Sequence, residues 1–144
     1  MVAIADIYEF VSLQLEVPVE LLDKDTDLCE VFDVKADACA DLVENFAERF
    51  KVDLDGYLWY FHHGEAGLNI GRFWVKPPYE RVERIPLTPR IFLKAATKKR
   101  WKVQYPEHTI PKKRWDMIIN KGILFFVFFY TLNRFLPTII DKFS

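Results

Sequence analysis

Residues 27–54, DLCEVFDVKADACADLVENFAERFKVDL, contain the pattern that decides the fold. After an acidic segment, apolar side chains recur at three- and four-residue spacing, which places them on one face of an α-helix. They are Cys39, Leu42, Val43, Phe46 and Phe50, followed by Val52 and Leu54. Asp37 is predicted to cap this helix, because its carboxylate can accept unpaired amide hydrogens of the first turn. We therefore expect a central amphipathic helix that the rest of the chain covers.

The composition is that of a folded protein whose charges are divided along the chain. Of the 144 residues, 51% are apolar and 16% aromatic, which favours one domain with a real core over disorder. Residues 1–56 contain 15 Asp/Glu and 4 Lys/Arg, whereas residues 57–144 contain 6 and 16. In a compact domain the basic segment would neutralise the acidic helix, so we expect internal complementarity and no nucleic-acid binding.

Two further helices are predicted on either side of the central one. A first helix face ends at Val17-Pro18 and consists of Ile4, Ile7, Tyr8, Val11 and Leu15. Thr88 is a predicted N-cap with Pro89 in the first turn, and the helix after it ends near Arg100-Trp101 with an apolar face of Ile91, Phe92, Ala95 and Ala96. Between these helices, an insert at 56–86 is predicted to form either a loop or a short β-hairpin around Pro77-Pro78, since it contains two apolar runs.

The central stretch resembles the acyl-carrier-protein fold, in which a loop leads into a helix that ends in an acidic, phenylalanine-containing turn. It is more similar to a bacterial family of acyl-carrier-like proteins, domain of unknown function 1493. The resemblance lies in FDVKADACADLVENFAERFKVDLDG (32–56), Tyr60-Phe61 and IPLTPRIFLKAATKKRW (85–101). It implies a mainly α-helical, acyl-carrier-like small bundle over residues 1–102 that contains the insert.

The resemblance also implies a serine at the start of the central helix, to which a carrier protein attaches phosphopantetheine. This chain has Ala36-Asp37 at that position, and its only serines are Ser12 and Ser144. We therefore expect no phosphopantetheine, no other cofactor and no ordinary acyl carriage.

Cys29 and Cys39 are interpreted as buried structural cysteines. Cys39 lies in the first helical turn, where the helix dipole lowers a thiol pKa and would suit an acyl-carrying thiol. It also lies on the apolar face, which favours burial. Residues 1–10 lack the features of a secretory signal, so we expect a cytoplasmic domain with reduced thiols.

His62, His63 and Glu65 are the residues that most resemble metal ligands. Adjacent histidines point in different directions on regular backbone, and His108 lies far away in a connector. We interpret the group as a solvated loop and predict no metal site. The chain also lacks a glycine-rich phosphate loop, a nucleophile elbow and a His-x-x-x-His motif, so we identify no catalytic residues and expect no enzyme.

A polar, basic connector at 103–117 leads into an apolar segment at 118–140. The segment has 23 residues, enough for a membrane span, but its longest stretch between charges has 12. A tail anchor, an interfacial amphipathic helix and a buried core helix remain open. The cations Lys112, Lys113, Arg114 and Lys121 precede the segment and Lys142 follows it, so a spanning helix would keep the domain on the cytoplasmic side.

The acidic side of the central helix is the one candidate binding surface. Its members are Asp37, Asp41, Glu44 and Glu48, which are either a solvated face or a recognition strip for a basic partner surface. The sequence thus predicts a non-catalytic adaptor at the cytoplasmic face of the inner membrane, with a cytoplasmic location as the alternative. A membrane-associated immunity or regulatory protein and a binder of lipid or acyl chains are the alternative functions.

Overall fold

The computed structural model describes residues 1–144 and is mainly α-helical. Its five α-helices are α1 (Ile4–Leu15), α2 (Leu28–Val31), α3 (Ala36–Phe50), α4 (Pro89–Lys98) and α5 (Trp115–Phe143). Short 3₁₀ helices lie at Val19–Leu21, Trp59–Phe61, Ile70–Phe73 and Pro78–Glu80. The prediction of a mainly α-helical chain with an apolar C-terminal helix is confirmed.

The chain forms two compact units, which are described separately. The core unit contains residues 1–66 and 82–108, and therefore α1 to α4. The tail unit contains residues 67–81 and 109–144, and therefore α5. The 56–86 insert is thus divided between the two units.

The core unit is organised around the apolar face of α3. All five predicted face residues of α3 are buried, together with Ile7, Phe10 and Val11 of α1 and Phe92 of α4. The rings of Phe46 and Phe92 stack with centroids 4.4 Å apart, and Phe10 meets Phe46 edge to face at 6.1 Å. The predicted role of α3 as the centre of the core is confirmed.

One of the two predicted helix caps agrees with the structure. The Thr88 hydroxyl accepts the amide hydrogen of Ile91 at 3.3 Å and Pro89 is the first residue of α4, as predicted. Asp37 is not the N-cap of α3, because the extended Lys35 precedes a helix that already begins at Ala36. The Asp37 carboxylate instead accepts the amide hydrogen of Ala38 at 2.9 Å.

The predicted β-hairpin around Pro77-Pro78 is wrong, because the chain forms helices and no β-strand. Its first half binds to a helix instead of a strand, since the Ile70 amide donates to Asn120 Oδ1 at 2.8 Å. The two prolines have no amide hydrogen to donate to a strand partner. Ile85 in the second half donates to the Phe61 carbonyl at 2.6 Å, within the core unit.

Cys29 and Cys39 are both buried, as predicted, but they form a disulfide instead of two reduced thiols. Their Cα atoms are 6.1 Å apart. The short α2 helix and the turn after it bring them together, since the Val34 amide donates to the Cys29 carbonyl at 2.8 Å. The pairing was not predicted from the sequence, in which the two cysteines are ten residues apart.

Candidate functional site

The acidic face of α3 is fully formed and open to solvent. Asp37, Asp41, Glu44 and Glu48 are all exposed, while the opposite side of the same helix is buried in the core. Their spacing of three and four residues aligns them along 11 residues of one helix face. This arrangement can bind a cationic surface without disturbing the core.

None of these four carboxylates takes part in an ion pair. Two arginines of the core unit, Arg84 and Arg90, pair with the loop before α2 instead. Arg90 binds Asp25 through two hydrogen bonds of 2.7 and 2.9 Å. The predicted neutralisation of the acidic helix by the basic segment is therefore wrong, because these ion pairs form at the loop and leave the carboxylates of α3 unpaired.

Arg84 fixes the start of α2 through the same kind of contact. Its guanidinium donates to both carboxylate oxygens of Asp27, at 2.6 and 2.8 Å, and reaches Glu30 at 3.3 Å. Asp27 also accepts the amide hydrogen of Glu30, so it caps α2. The hydrogen bonds from Arg84 hold the pKa of the Asp27 carboxyl below its usual value.

The start of α3 contains no hydroxyl group to which a prosthetic group could be attached. Ala36 and Asp37 occupy the first two positions of the helix. Ser12 lies in α1 and donates its hydroxyl to the Val17 carbonyl, and Ser144 follows the last residue of α5. The two serines of the chain thus have other positions in the structure.

His62 is a buried structural residue, so its interpretation as part of a solvated loop is wrong. Its Nδ1 lies 2.9 Å from the Ile85 carbonyl oxygen, which can only accept, so Nδ1 carries the hydrogen. Nε2 therefore accepts the hydroxyl hydrogen of Tyr105 at 2.8 Å. Burial of the ring lowers the pKa of His62 to about 4, so the ring is neutral at pH 7.

The other two histidines also have tyrosine partners. His63 Nε2 lies 2.9 Å from the Tyr57 hydroxyl, and His108 Nε2 lies 2.8 Å from the Tyr60 hydroxyl. No group of three or more His, Cys, Asp or Glu side chains lies close enough together to hold a metal ion. His62 and His108 therefore join residues 57–63 to residues 105–108, whereas the His63 contact lies within residues 57–63.

The sequence analysis missed this polar network of the core unit. Tyr105 accepts hydrogens from Trp101 Nε1 at 2.9 Å and from the Leu58 amide at 3.3 Å, and it donates to His62. The density of Tyr and His in residues 57–63 and 105–108 was the available signal. It does not reveal which ring meets which, because those contacts depend on tertiary packing.

The tail unit exposes an apolar helix. By length and composition α5 is able to cross a membrane, and its most apolar part is not buried anywhere in the structure. Aromatic side chains cover several sides of the helix rather than one. The exposed large apolar residues in this part are Leu124, Phe125, Phe126, Val127, Phe128, Phe129, Tyr130, Leu132, Phe135, Leu136, Ile139 and Ile140.

The first two turns of α5 are held by residues 68–71, a contact that the sequence analysis did not predict. Asn69 donates to Asp116 at 2.8 Å, and Asn120 donates to the Leu68 carbonyl at 2.8 Å. A Cβ atom on Gly71 would overlap the Asp116 carbonyl oxygen and lie 3.0 Å from the Asn120 nitrogen. Glycine is therefore required where the segment touches the helix backbone.

The family described as "Protein of unknown function (DUF1493)" matches residues 3–104, which is more than half of the chain. The chain belongs to this family. No curated protein and no solved structure matches it. The part that matches DUF1493 contains α1 to α4, the acidic face and residues 67–81, whereas α5 lies after its end.

This DUF1493 protein has an open groove of about 890 Å³ between α1 and the end of α3. Six of its thirteen lining residues are charged, among them Asp6, Glu9, Glu48, Arg49 and Lys51. A groove of this polarity suits ions and polar groups better than an aliphatic chain.

Proposed function

We propose that this DUF1493 protein is a non-catalytic adaptor held at the cytoplasmic face of the inner membrane. In this proposal α5 enters the bilayer and the acidic face of α3 binds a basic surface of a partner protein. The core unit is an acyl-carrier-like domain that has no prosthetic-group serine and carries no acyl chain.

One observation carries the proposal, which is the exposed apolar surface of α5. Residues 121–143 follow the contact with residues 68–71 and would extend about 35 Å at the helical rise of ~1.5 Å per residue. The hydrocarbon core of a bilayer is roughly 30 Å thick. An exposed apolar surface of this size is unfavourable in water, whereas in lipid each of these side chains gains a suitable solvent.

The charges around α5 support a cytoplasmic core unit. Four cations lie between 112 and 121, before the apolar part, and Lys142 is the single cation after Arg134. Positive residues favour the cytoplasmic side. Arg134 lies within about two turns of Phe143, where its long side chain can reach the far interface.

The unpaired carboxylates of α3 support partner binding. Four acidic side chains on one exposed helix face create a local negative potential that other residues of the core unit do not cancel through ion pairs. Such a potential steers a cationic partner towards the helix and determines its orientation.

The proposed relation to acyl carrier proteins is supported by the order and packing of the helices. An acidic segment that contains α2 joins α1 to the central α3. The later helix α4 completes the core around α3. Ala36 and Asp37 occupy the place of the carrier serine in this comparison.

Membrane association is tested by fractionating cells that express the full chain and washing the membranes with carbonate. The full chain is expected to resist the wash. A Val127→Glu, Phe128→Glu variant is expected to be extracted, because two charges at the middle of the helix oppose insertion. Leu13→Glu, an exposed position of α1, is the matched control and should stay in the membrane. Extraction of the unaltered chain would overturn the proposal.

Partner binding is tested by crosslinking in cells with Asp41→Lys, Glu44→Lys, Glu48→Lys. A crosslinked product seen with the unaltered chain should disappear. The control carries the same charge change at exposed sites away from the face, namely Glu16→Lys, Glu20→Lys and Asp55→Lys, and should retain the product. Equal loss with both triple variants would show a general charge effect and refute the role of α3.

A second candidate is a membrane-associated immunity or regulatory protein whose tail binds transmembrane helices of its partner. Asn133 and Arg134 favour it, because polar side chains within an apolar helix often face another helix. Arg134→Leu should leave membrane retention intact, and it should abolish crosslinks from α5 only under this second candidate. The third candidate, an acyl-chain binder, is not favoured by the charged lining of the α1–α3 groove.

A further inference from the structure

Residues 67–81 pack against residues 109–121, which include the start of α5. We call these two segments together the collar. The two parts are joined by buried polar side chains, since Asp116 and Asn120 are almost completely shielded from solvent. Asn120 both donates to Leu68 and accepts from Ile70. Gly71 permits backbone contact at the same place. The segment 67–81 is therefore fixed to the residues at which the apolar helix begins.

The collar exposes large apolar side chains that it does not use for packing. Phe73 is 81% exposed and Trp74 67%, and Leu68, Trp115 and Ile118 are also exposed. They lie within a few residues of the contacts that fix the collar to α5. Tryptophan and phenylalanine next to the end of a membrane-spanning segment are typical of the lipid–water interface.

The same collar is strongly cationic. The whole tail unit contains nine Lys/Arg and three Asp/Glu, a net charge of +6. Two of its acids are neutralised internally, as Arg72 pairs with Glu80 and Arg114 with Asp116, both at 2.7 Å. The other collar cations are exposed and in no ion pair, and they are Lys76, Arg81, Lys112, Lys113 and Lys121.

The two parts of the collar bring these cations together. Lys76 and Arg81 line the same narrow crevice as Lys113 and Arg114. Lys113 also lies over the Trp115 ring, with its ammonium 5.7 Å from the ring centroid. Cations interleaved with exposed aromatic rings match the headgroup region of a membrane that contains anionic lipids.

We propose that the collar docks on the headgroup region of a bilayer containing anionic phospholipids. Phe73, Trp74 and Trp115 lie at the lipid–water interface, and the unpaired lysines and arginines bind the phosphate groups. This inference rests on the proposed function, because it requires that α5 enters a membrane. It adds a second membrane contact, from a segment that is separated from the start of α5 by the 33 residues 82–114.

The test uses the full chain reconstituted into vesicles of phosphatidylcholine alone or of phosphatidylcholine mixed with phosphatidylglycerol. Hydrogen exchange is measured for peptides from 67–81 and 109–121, and flotation reports insertion. Several unpaired cations of the collar would face the anionic surface and each strengthens the contact, so roughly tenfold slower exchange is expected in the mixed vesicles. Lys76→Glu, Arg81→Glu, Lys112→Glu should lose this protection.

The control triple variant is Lys94→Glu, Lys98→Glu, Lys102→Glu, which makes the same charge change at exposed sites of the core unit. It should keep the protection. A second variant, Phe73→Ala with Trp74→Ala, leaves the charges intact and should reduce protection in the mixed vesicles. Its behaviour tests the inference even if the charge variant fails to fold.

The outcomes separate this inference from the proposed function. Flotation with both vesicle types but equal exchange in both would overturn the collar docking and leave the anchor intact. Equal loss of protection with the control triple variant would also overturn it. Protection of the collar only by a protein partner, with none in lipid, would identify a protein-binding surface instead. Failure to float with either vesicle type would overturn the anchor and the docking together.

Discussion

The core unit and the tail unit differ in net charge and in whether their phenylalanine side chains are buried. The core unit has 18 Asp/Glu and 11 Lys/Arg, a net charge of −7, and it buries its phenylalanines around α3. The tail unit has a net charge of +6 and leaves the phenylalanines of α5 exposed. The comparison teaches that one chain can bury the aromatic side chains of one unit and leave those of the other exposed.

The interiors of the two units differ in kind as well. The core unit is closed by stacked and edge-to-face aromatic rings, with one buried histidine held by hydrogen bonds. The buried side chains that join α5 to residues 68–71 are polar, namely Asp116 and Asn120. Hydrogen bonds are directional, so these contacts fix the orientation of the start of α5 and leave its apolar side chains exposed.

The largest expected effect is the loss in free energy of unfolding when a buried phenylalanine, rather than an exposed one, is replaced by alanine. Phe46→Ala should lower the free energy of unfolding of the core unit by about 3–5 kcal/mol, because it leaves a cavity among packed rings. Phe126→Ala, at a position 71% exposed, should leave that free energy unchanged within about 0.5 kcal/mol. Urea unfolding of the detergent-solubilised chain, followed by far-ultraviolet circular dichroism and tryptophan fluorescence, measures both. Similar losses in the two variants would mean that α5 belongs to the core.

The next effect concerns pH and the core unit alone. The pKa of His62 is about 4 in the folded chain and 6.5 when unfolded, so the unfolded chain binds the extra proton between these values. Stability is fully present above pH 6.5 and should fall by about 3 kcal/mol as the pH drops to 4. His62→Gln should flatten this part of the profile, measured by urea unfolding at several pH values. A profile of His62→Gln that still falls over the same window would exclude His62 as its cause.

A smaller effect tests the hydrogen-bonded junction of the tail unit. Gly71→Ala should destabilise the contact between residues 68–71 and α5 by about 1–3 kcal/mol, since its Cβ meets helix backbone. Faster hydrogen exchange in peptides from 67–81 measures this opening. Gly122→Ala, where an added Cβ meets nothing within 4 Å, is the control and should not open the segment. Unchanged exchange in Gly71→Ala would show that the contact does not hold the segment.

The smallest effect is expected on the acidic face. Glu44→Lys with Glu48→Lys should change the free energy of unfolding by no more than about 0.5 kcal/mol, because both side chains are exposed and unpaired. The measurement is the same urea unfolding as for Phe46→Ala. A loss of several kcal/mol would assign these carboxylates to the stability of the fold rather than to an interaction surface.

The parts of this structure that the sequence predicted are those that depend on local periodicity. The apolar face of α3, the Thr88 cap and the apolar tail all follow from side-chain spacing within one helix. The core contact between Phe46 and Phe92 joins two such faces. The exposed acidic face of α3 follows from the same periodicity, seen from the other side.

The parts that sequence reasoning missed depend on contacts between distant segments. His62 meets Tyr105, and Asn69 meets Asp116, across more than 40 residues each, and no local pattern encodes either pair. The hairpin was predicted because apolar runs flank a Pro-Pro turn, yet residues 68–70 form hydrogen bonds with α5. The pairing of Cys29 with Cys39 was also missed, because it depends on the conformation of the turn between α2 and α3.

The flanking charges and the disulfide make opposite predictions about the side of the membrane on which the core unit lies. The cations before α5 favour the cytoplasm, where thiols are kept reduced. A disulfide between Cys29 and Cys39 is favoured in an oxidising compartment. We follow the charges in proposing the cytoplasmic side, and the Cys29–Cys39 disulfide is the feature of the structure that favours the opposite side.

The most direct test of the account is protease digestion of inverted inner-membrane vesicles that contain the full chain. We predict that protease added outside removes the core unit and leaves a protected fragment from α5 in the membrane. Complete digestion, or release of the intact chain from the vesicles, would contradict the anchor. Protection of the core unit in inverted vesicles would contradict the cytoplasmic orientation and place the Cys29–Cys39 pair on the oxidising side.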